Sequence, residues 1–153
     1  VYAVGDVNGG PQFTYISLDD FRIVFSALTG NGQYTLKDRK NIPYTTFLTP
    51  PLARVGLTEE DAINKGYTVK TKEMLVATMP RAHVNDYLKG AFKIVVNAEN
   101  NLILGATLYS QGAEELINLI KMAMDNNIPY TYFKNQIFTH PTMAENLNDL
   151  CNF

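Results

Sequence analysis

Residues 90–109 read Gly90-Ala91-Phe92-Lys93-Ile94-Val95-Val96-Asn97-Ala98-Glu99-Asn100-Asn101-Leu102-Ile103-Leu104-Gly105-Ala106-Thr107-Leu108-Tyr109. Two apolar, β-rich runs, 90–96 and 102–109, flank the polar stretch from Asn97 to Asn101. That pattern predicts an antiparallel hairpin. Gly105 interrupts the second run, and its missing side chain predicts close approach of a backbone or helix. Residues 113–125 then give the clearest helix. Leu116, Ile117, Ile120, Met122, Ala123 and Met124 form a broad apolar face, and Glu114-Glu115 sit in the first turn, where the helix dipole favours acids. The methionines of that face read as core or interface filler rather than ligands.

Upstream of the hairpin, residues 43–48 carry the β-rich Tyr44-Thr45-Thr46-Phe47 and end at Pro50-Pro51. Residues 54–57 form a second short strand. Thr58 caps a helix with Glu59, Glu60 and Asp61 in its first turn and a stop at Lys65-Gly66. Residues 67–78 are a long β-type run. His83, in the polar stretch 82–86, reads as an exposed loop histidine and not a ligand. Downstream, Asn126-Asn127 and Pro129 end the long helix, and residues 130–135 fit either a short helix or an extended segment. The order strand, strand, helix, strand, hairpin, helix, helix predicts an α+β domain, an antiparallel sheet with helices on one face.

The first thirty or so residues are of another kind. Val1-Tyr2-Ala3-Val4 is a strand-like run ending at Gly5-Asp6, and Asn8-Gly9-Gly10-Pro11 is a turn. Residues 14–28 read as a helix, with apolar Ile16, Phe21, Ile23, Val24 and Leu28 and a stop at Thr29-Gly30-Asn31-Gly32. Residues 30–41 are polar, and Lys37-Asp38-Arg39-Lys40 reads as a solvated run. The expected organisation is a strand–helix segment at 1–32, a linker at 33–42 and the α+β domain at 43–153. Asp6 reads either as an ordinary turn aspartate or as a carboxylate at a strand's end, where α/β sheets meet ligands.

Composition limits the function classes. With 153 residues, 46% of them apolar, there is material for a real core. A net charge of -2 argues against nucleic acid or an anionic membrane surface as partner. No apolar run approaches a membrane span, and no signal peptide is visible. The single cysteine, Cys151, excludes an internal disulfide framework, and a reducing cytoplasm is the expected setting. No Gly-x-Gly-x-x-Gly turn and no internal repeat is present. The chain starts with Val in a strand-like run and is expected to be a piece of a longer protein.

The stretch with chemistry in it is Phe138-Thr139-His140-Pro141-Thr142-Met143-Ala144-Glu145. Thr142 with Glu145 three residues on makes a capping box, so one reading is simply a helix start. The other is a catalytic dyad, since a nearby carboxylate fixes a histidine's tautomer and stabilises its cation. A Cys–His hydrolase using Cys151 and His140 is a further class, but no oxyanion-type glycine motif surrounds Cys151.

His140-Pro141-Thr142-x-x-Glu145 resembles the C-terminal signature of the pyridine nucleotide-disulfide oxidoreductases, which include glutathione reductase, dihydrolipoamide dehydrogenase and mercuric reductase. Tyr2-Ala3-Val4-Gly5-Asp6 is similar to that family's last flavin-binding strand. Thr49-Pro50-Pro51-Leu52-Ala53-Arg54-Val55-Gly56-Leu57-Thr58-Glu59 is similar to the segment that opens its interface domain. Residues 15–24 together with Asn146-Leu147-Asn148-Asp149-Leu150 look most like the branch linked to reactive-chlorine resistance, whose members are described as reducing copper(II).

The resemblance implies a dimerisation domain preceded by a remnant of an FAD-binding domain. It implies catalytic His140 and Glu145, the histidine shuttling a thiol proton in the partner subunit's active site and the glutamate orienting it. Gly5, Asp6 and Thr14 would contact flavin, and a cis peptide is expected at His140-Pro141. FAD and NAD(P)H are the cofactors of the full-length enzyme. None is expected on this chain alone, which lacks paired redox cysteines and should be inactive by itself. No resident metal is expected. The partners are a second copy of the chain and a small-molecule or metal-ion electron acceptor. The alternative is a stand-alone, non-catalytic dimerisation module.

Overall fold

The structure, a computed structural model, describes residues 1–30 and 32–153. The chain forms two compact units, Val1–Lys40 and Asn41–Phe153.

In the first unit the strand expected at residues 1–4 does not form. Val4 is extended, at φ -128° and ψ 149°, but no described strand pairs with it, and a tight helical turn follows at Gly5–Asn8. An apolar run becomes a strand only when a neighbour takes up its backbone donors and acceptors. Helix α1, Thr14–Leu28, has the expected bounds. Of the helix stop predicted at 29–32, Asn31 lies outside the described residues. Arg39, expected in a solvated run, instead reaches back to α1: its Nε bonds Asp19 Oδ2 at 2.6 Å and its Nη2 bonds Asp20 Oδ1. A buried carboxylate needs a partner, and Arg39 is the cation that satisfies two of them.

The second unit runs β1 (Tyr44–Thr46), β2 (Leu52–Gly56), α2 (Glu59–Asn64), β3 (Val69–Leu75), α3 (Pro80–Val84), β4 (Ala91–Asn97), β5 (Ile103–Tyr109), α4 (Ala113–Asp125), α5 (Tyr130–Asn135) and α6 (Asn146–Leu150). The strands make one five-stranded sheet in the order β1-β2-β5-β4-β3, every pair antiparallel. The β4–β5 hairpin sits at its centre, with a bulge between Val95 and Val96. Register places Ala53, Leu108 and Phe92 side by side, and next to them Val55, Ala106 and Ile94. All six are buried, so this face carries the core. Helix α4 packs on it over β2 and β5, and α6 over β3 and β4. Leu116, Ile117 and Ile120 of α4 and Leu147 and Leu150 of α6 join the same buried cluster.

Gly105 fulfils its expectation. A Cβ there would stand 2.1 Å from the Leu57 carbonyl oxygen and 2.6 Å from its nitrogen, because Leu57 N–H bonds Leu104 O at 2.9 Å directly beside it. Thr58 caps α2 in a full capping box with Asp61. On the sheet's other face, α2 borders a groove lined by Leu52, Arg54, Glu59, Ile63, Lys93 and Thr107, crossed by a 2.6 Å bond from Lys93 to Glu59. Residues 130–135 resolve as a helix that buries Tyr130 and Phe133. His83 lies on α3 and not in a loop, because Pro80 starts a short helix there. It is exposed as expected, and its Nε2–H donates to Ala77 O at 2.8 Å.

Candidate active site

Helix α6 anchors the His140 segment. Leu147, Leu150 and Cys151 are fully buried. The ammonium of Lys72 donates to Asp149 O at 2.7 Å and Asn152 O at 2.6 Å, neutralising the negative end of the helix. Ahead of the helix, the chain turns through bonds of three-residue spacing: Leu147 N to Ala144 O at 3.0 Å and Asn148 N to Glu145 O at 3.0 Å. The regular helix therefore begins at Asn146, later than a start capped by Thr142 predicts, since this tighter turn comes first.

Within that turn the capping-box bonds exist in both directions. Glu145 N–H donates to Thr142 Oγ1 at 3.2 Å, and Thr142 N–H donates to Glu145 Oε1 at 3.0 Å. Thr142 O–H donates to Thr139 O at 2.7 Å. The other oxygen of the same carboxylate, Oε2, accepts from Nδ1 of His140 at 2.7 Å. One side chain thus makes the bonds of the capping box and also holds His140. The His140–Pro141 peptide is cis, as is Thr49–Pro50.

This arrangement sets the chemistry. A carboxylate only accepts, so Nδ1 carries the imidazole proton and Nε2 presents its lone pair. The His140 side chain is 69% exposed against 19% for Glu145, and no described residue bonds Nε2. The His140 bond, helped by the Thr142 N–H, holds the Glu145 carboxyl below the usual carboxylate range. The result is an ionised, half-sheltered anchor behind an open base.

Gly5, Asp6 and Thr14 fall in the first unit. Gly5 has φ +75°, and a Cβ on it would lie 2.9 Å from Ser17 Oγ, so only glycine lets this turn close on α1. Gly5 N–H is already spent on Asp20 Oδ2 at 2.7 Å, which also takes Asn8 Nδ2 at 2.7 Å. Asp6 is exposed in the turn, and Thr14 is exposed at the first position of α1, whose N-terminus has no side-chain cap. An exposed carboxylate can accept from hydroxyls and an uncapped helix start favours an electron-rich ring, so the residues present fit a flavin. Sequence reasoning missed Asp20 and Arg39 here. Adjacent acids among the apolar residues of α1, followed by an unpaired basic run, were the available signal.

Cys151 is fully buried, and burial pushes its thiol up to about 12. A protonated, inaccessible thiol is no nucleophile, which removes the Cys–His hydrolase reading. Among the described residues no three His, Cys, Asp or Glu side chains gather as a metal site, and no helix is long and apolar enough to cross a membrane.

Residues 42–151 match the family described as pyridine nucleotide-disulphide oxidoreductase, dimerisation domain. The chain is 49% identical over 98% of its length to the probable pyridine nucleotide-disulfide oxidoreductase RclA of Escherichia coli K12, covering 34% of that protein. It is 36% identical over 96% of its length to a mercuric reductase of Staphylococcus aureus, covering 27% of it. Among solved structures, a Cu(II) complex of the HOCl-induced flavoprotein disulfide reductase RclA from Escherichia coli superposes with a TM-score of 0.95 at 49% identity, over 98% of this chain and 34% of that one. The chain thus spans about a third of the length of the relatives it matches. The family match covers the whole five-stranded antiparallel sheet and the helices packed on it, and the chain belongs to the pyridine nucleotide-disulfide oxidoreductase family, with residues 42–151 as its dimerisation domain.

Proposed function

We propose that this domain serves an FAD-dependent NAD(P)H:disulfide or metal-ion oxidoreductase, as a homodimer, and that His140 and Glu145 are the acid–base dyad each subunit lends to its partner. The observation that carries the reading is the division of labour in Glu145. One oxygen holds the protein's own turn at Thr142 N–H, the other holds Nδ1 of His140, and Nε2 is left facing outward.

His140 Nε2 takes the proton of an incoming thiol, leaving the thiolate that attacks a disulfide or binds a metal ion. The imidazolium so formed shares its Nδ1–H with the ionised Glu145, which stabilises it until the proton is returned. When bound, FAD supplies the two-electron link between NAD(P)H and a cysteine pair. Asp6 would bond its hydroxyls, and Thr14 with the start of α1 would face its ring. The chain alone holds no second thiol for such a pair and should be inactive without the remainder of the enzyme. The copper(II) bound in the RclA complex supports a metal ion among the acceptors. The lone, buried thiol suits a reducing cytoplasm.

The test is steady-state turnover of His140→Gln in the flavoprotein that contains this domain, with flavin content and dimer mass checked. Loss of a general acid–base costs about 10²- to 10⁴-fold. Turnover at the wild-type rate would overturn the assignment.

A further inference from the structure

We infer that Asn148 is a positioning residue for the His140–Glu145 dyad, a single side-chain amide that closes the base of the loop carrying it. The inference rests on the acid–base role proposed above and adds how His140 is held.

The loop leaves α5 and returns to α6 between residues 137 and 145. Its outer part is poorly tethered: Ile137 is 92% exposed, and among the described residues no backbone–backbone hydrogen bond involves 137–141. Phe138 packs against the core, and Thr142 O–H reaches Thr139 O, but neither fixes where the chain departs from α5. That point is a helix C-terminus, closed locally by one 3.3 Å bond from Gln136 N–H to Phe133 O. Asn148 adds the ties across to α6. Its Nδ2 donates to Phe133 O at 2.7 Å and Gln136 O at 2.9 Å, with Lys134 O at 3.4 Å. Asn148 itself stands on α6 between the fully buried Leu147 and Leu150, so it is a rigid post. One amide therefore locks the outgoing strand of the loop to the incoming one. Asn146, two residues earlier, completes the arrangement. It is 2% exposed, and its amide donates to Thr142 O at 3.2 Å and Met143 O at 3.0 Å, fixing the turn from which Glu145 reaches His140.

Proton transfer at Nε2 depends on aim, and a displacement of 1 Å can cost about a hundredfold. In the full flavoprotein, Asn148→Ala should lower turnover by about tenfold to a hundredfold, with flavin content and dimer mass unchanged. The decisive measurement is the double variant. Because Asn148 acts through His140, Asn148→Ala should have little further effect in a His140→Gln background, which a merely structural role would not reproduce. Should Asn148→Ala fail to fold, Asn148→Leu, close in size and without a donor, is read the same way. Wild-type turnover in a folded Asn148 variant, or an equal loss in both backgrounds, overturns the inference while leaving the dyad intact. Wild-type turnover of His140→Gln alone overturns the acid–base reading instead.

Discussion

Glu145→Gln separates the two jobs of that side chain more sharply than any truncation. The glutamate accepts twice, from Thr142 N–H at 3.0 Å and from His140 Nδ1–H at 2.7 Å. Glutamine has one accepting oxygen and one donating amide. If the oxygen stays on Thr142 N–H, the amide faces Nδ1, which must then give up its proton. The imidazole would switch tautomer, and Nε2 would become a donor where a base is needed. If the oxygen turns to Nδ1–H, two donors collide at Thr142. Either way the hydrogen bond to a charged acceptor is lost, worth about 1.5–3 kcal/mol, or about 10- to 150-fold in rate if the step passes through an imidazolium. His140→Gln should cost more, up to about 10⁴-fold, because no base remains. Turnover against pH in the flavoprotein is the assay, with both variants side by side. Glu145→Gln turning over like wild type across the pH range would refute the tautomer argument. A loss equal to that of His140→Gln would show that the carboxylate does more than orient.

Three other outcomes are expected. Gly105→Ala should destabilise the second unit by about 3 kcal/mol or more, read from urea unfolding, because its Cβ meets immovable Leu57 backbone; a loss under about 1 kcal/mol would mean that the strand and Leu57 can part. Cys151 should resist an aromatic disulfide reagent at mildly alkaline pH and react fully in denaturant, and rapid native labelling would contradict its burial. Acid should remove stability through Asp20, whose carboxyl is lowered first by Arg39 and then by Gly5 N–H. A lowered carboxyl stabilises the fold above its unfolded value near ~4 and loses that contribution as pH falls through the folded one. The wild type should therefore weaken on acidification below that value more steeply than Asp20→Asn, and parallel curves would count against the Arg39 pairing.

Regular periodicity made the second unit legible. Alternation around Asn97–Asn101 predicts the central hairpin, and the apolar face of residues 113–125 predicts α4 with its bounds. Gly105 was readable because a glycine inside a strand has few other uses. What was not legible depends on a partner far along the chain. Val1-Tyr2-Ala3-Val4 has strand composition but no described strand beside it. Arg39 looks solvated until the fold of the first unit brings Asp19 and Asp20 to it, 20 and 19 residues away. Asn148 looks like one more polar residue of an amphipathic turn, and only the return of the chain past Phe133 and Gln136 gives its amide work. The motif His140-Pro141-Thr142-x-x-Glu145 was legible because all its bonds are local, five residues apart at most.

That locality explains how an exposed histidine can be held in one orientation. Side chains on the surface lose their orientation readily, and His140 is 69% exposed. Its anchor is not. Glu145 is tied to Thr142 through both its backbone N–H and its carboxylate, and the turn it occupies runs directly into a helix whose Leu147 and Leu150 are fully buried. Rigidity thus passes outward from the core through the helix and the capping box to one carboxylate oxygen, and only the imidazole beyond it is free to meet a second molecule. A capping box is ordinarily an end in itself. Here its acid has an oxygen to spare, and that spare oxygen fixes the orientation of the imidazole beyond it.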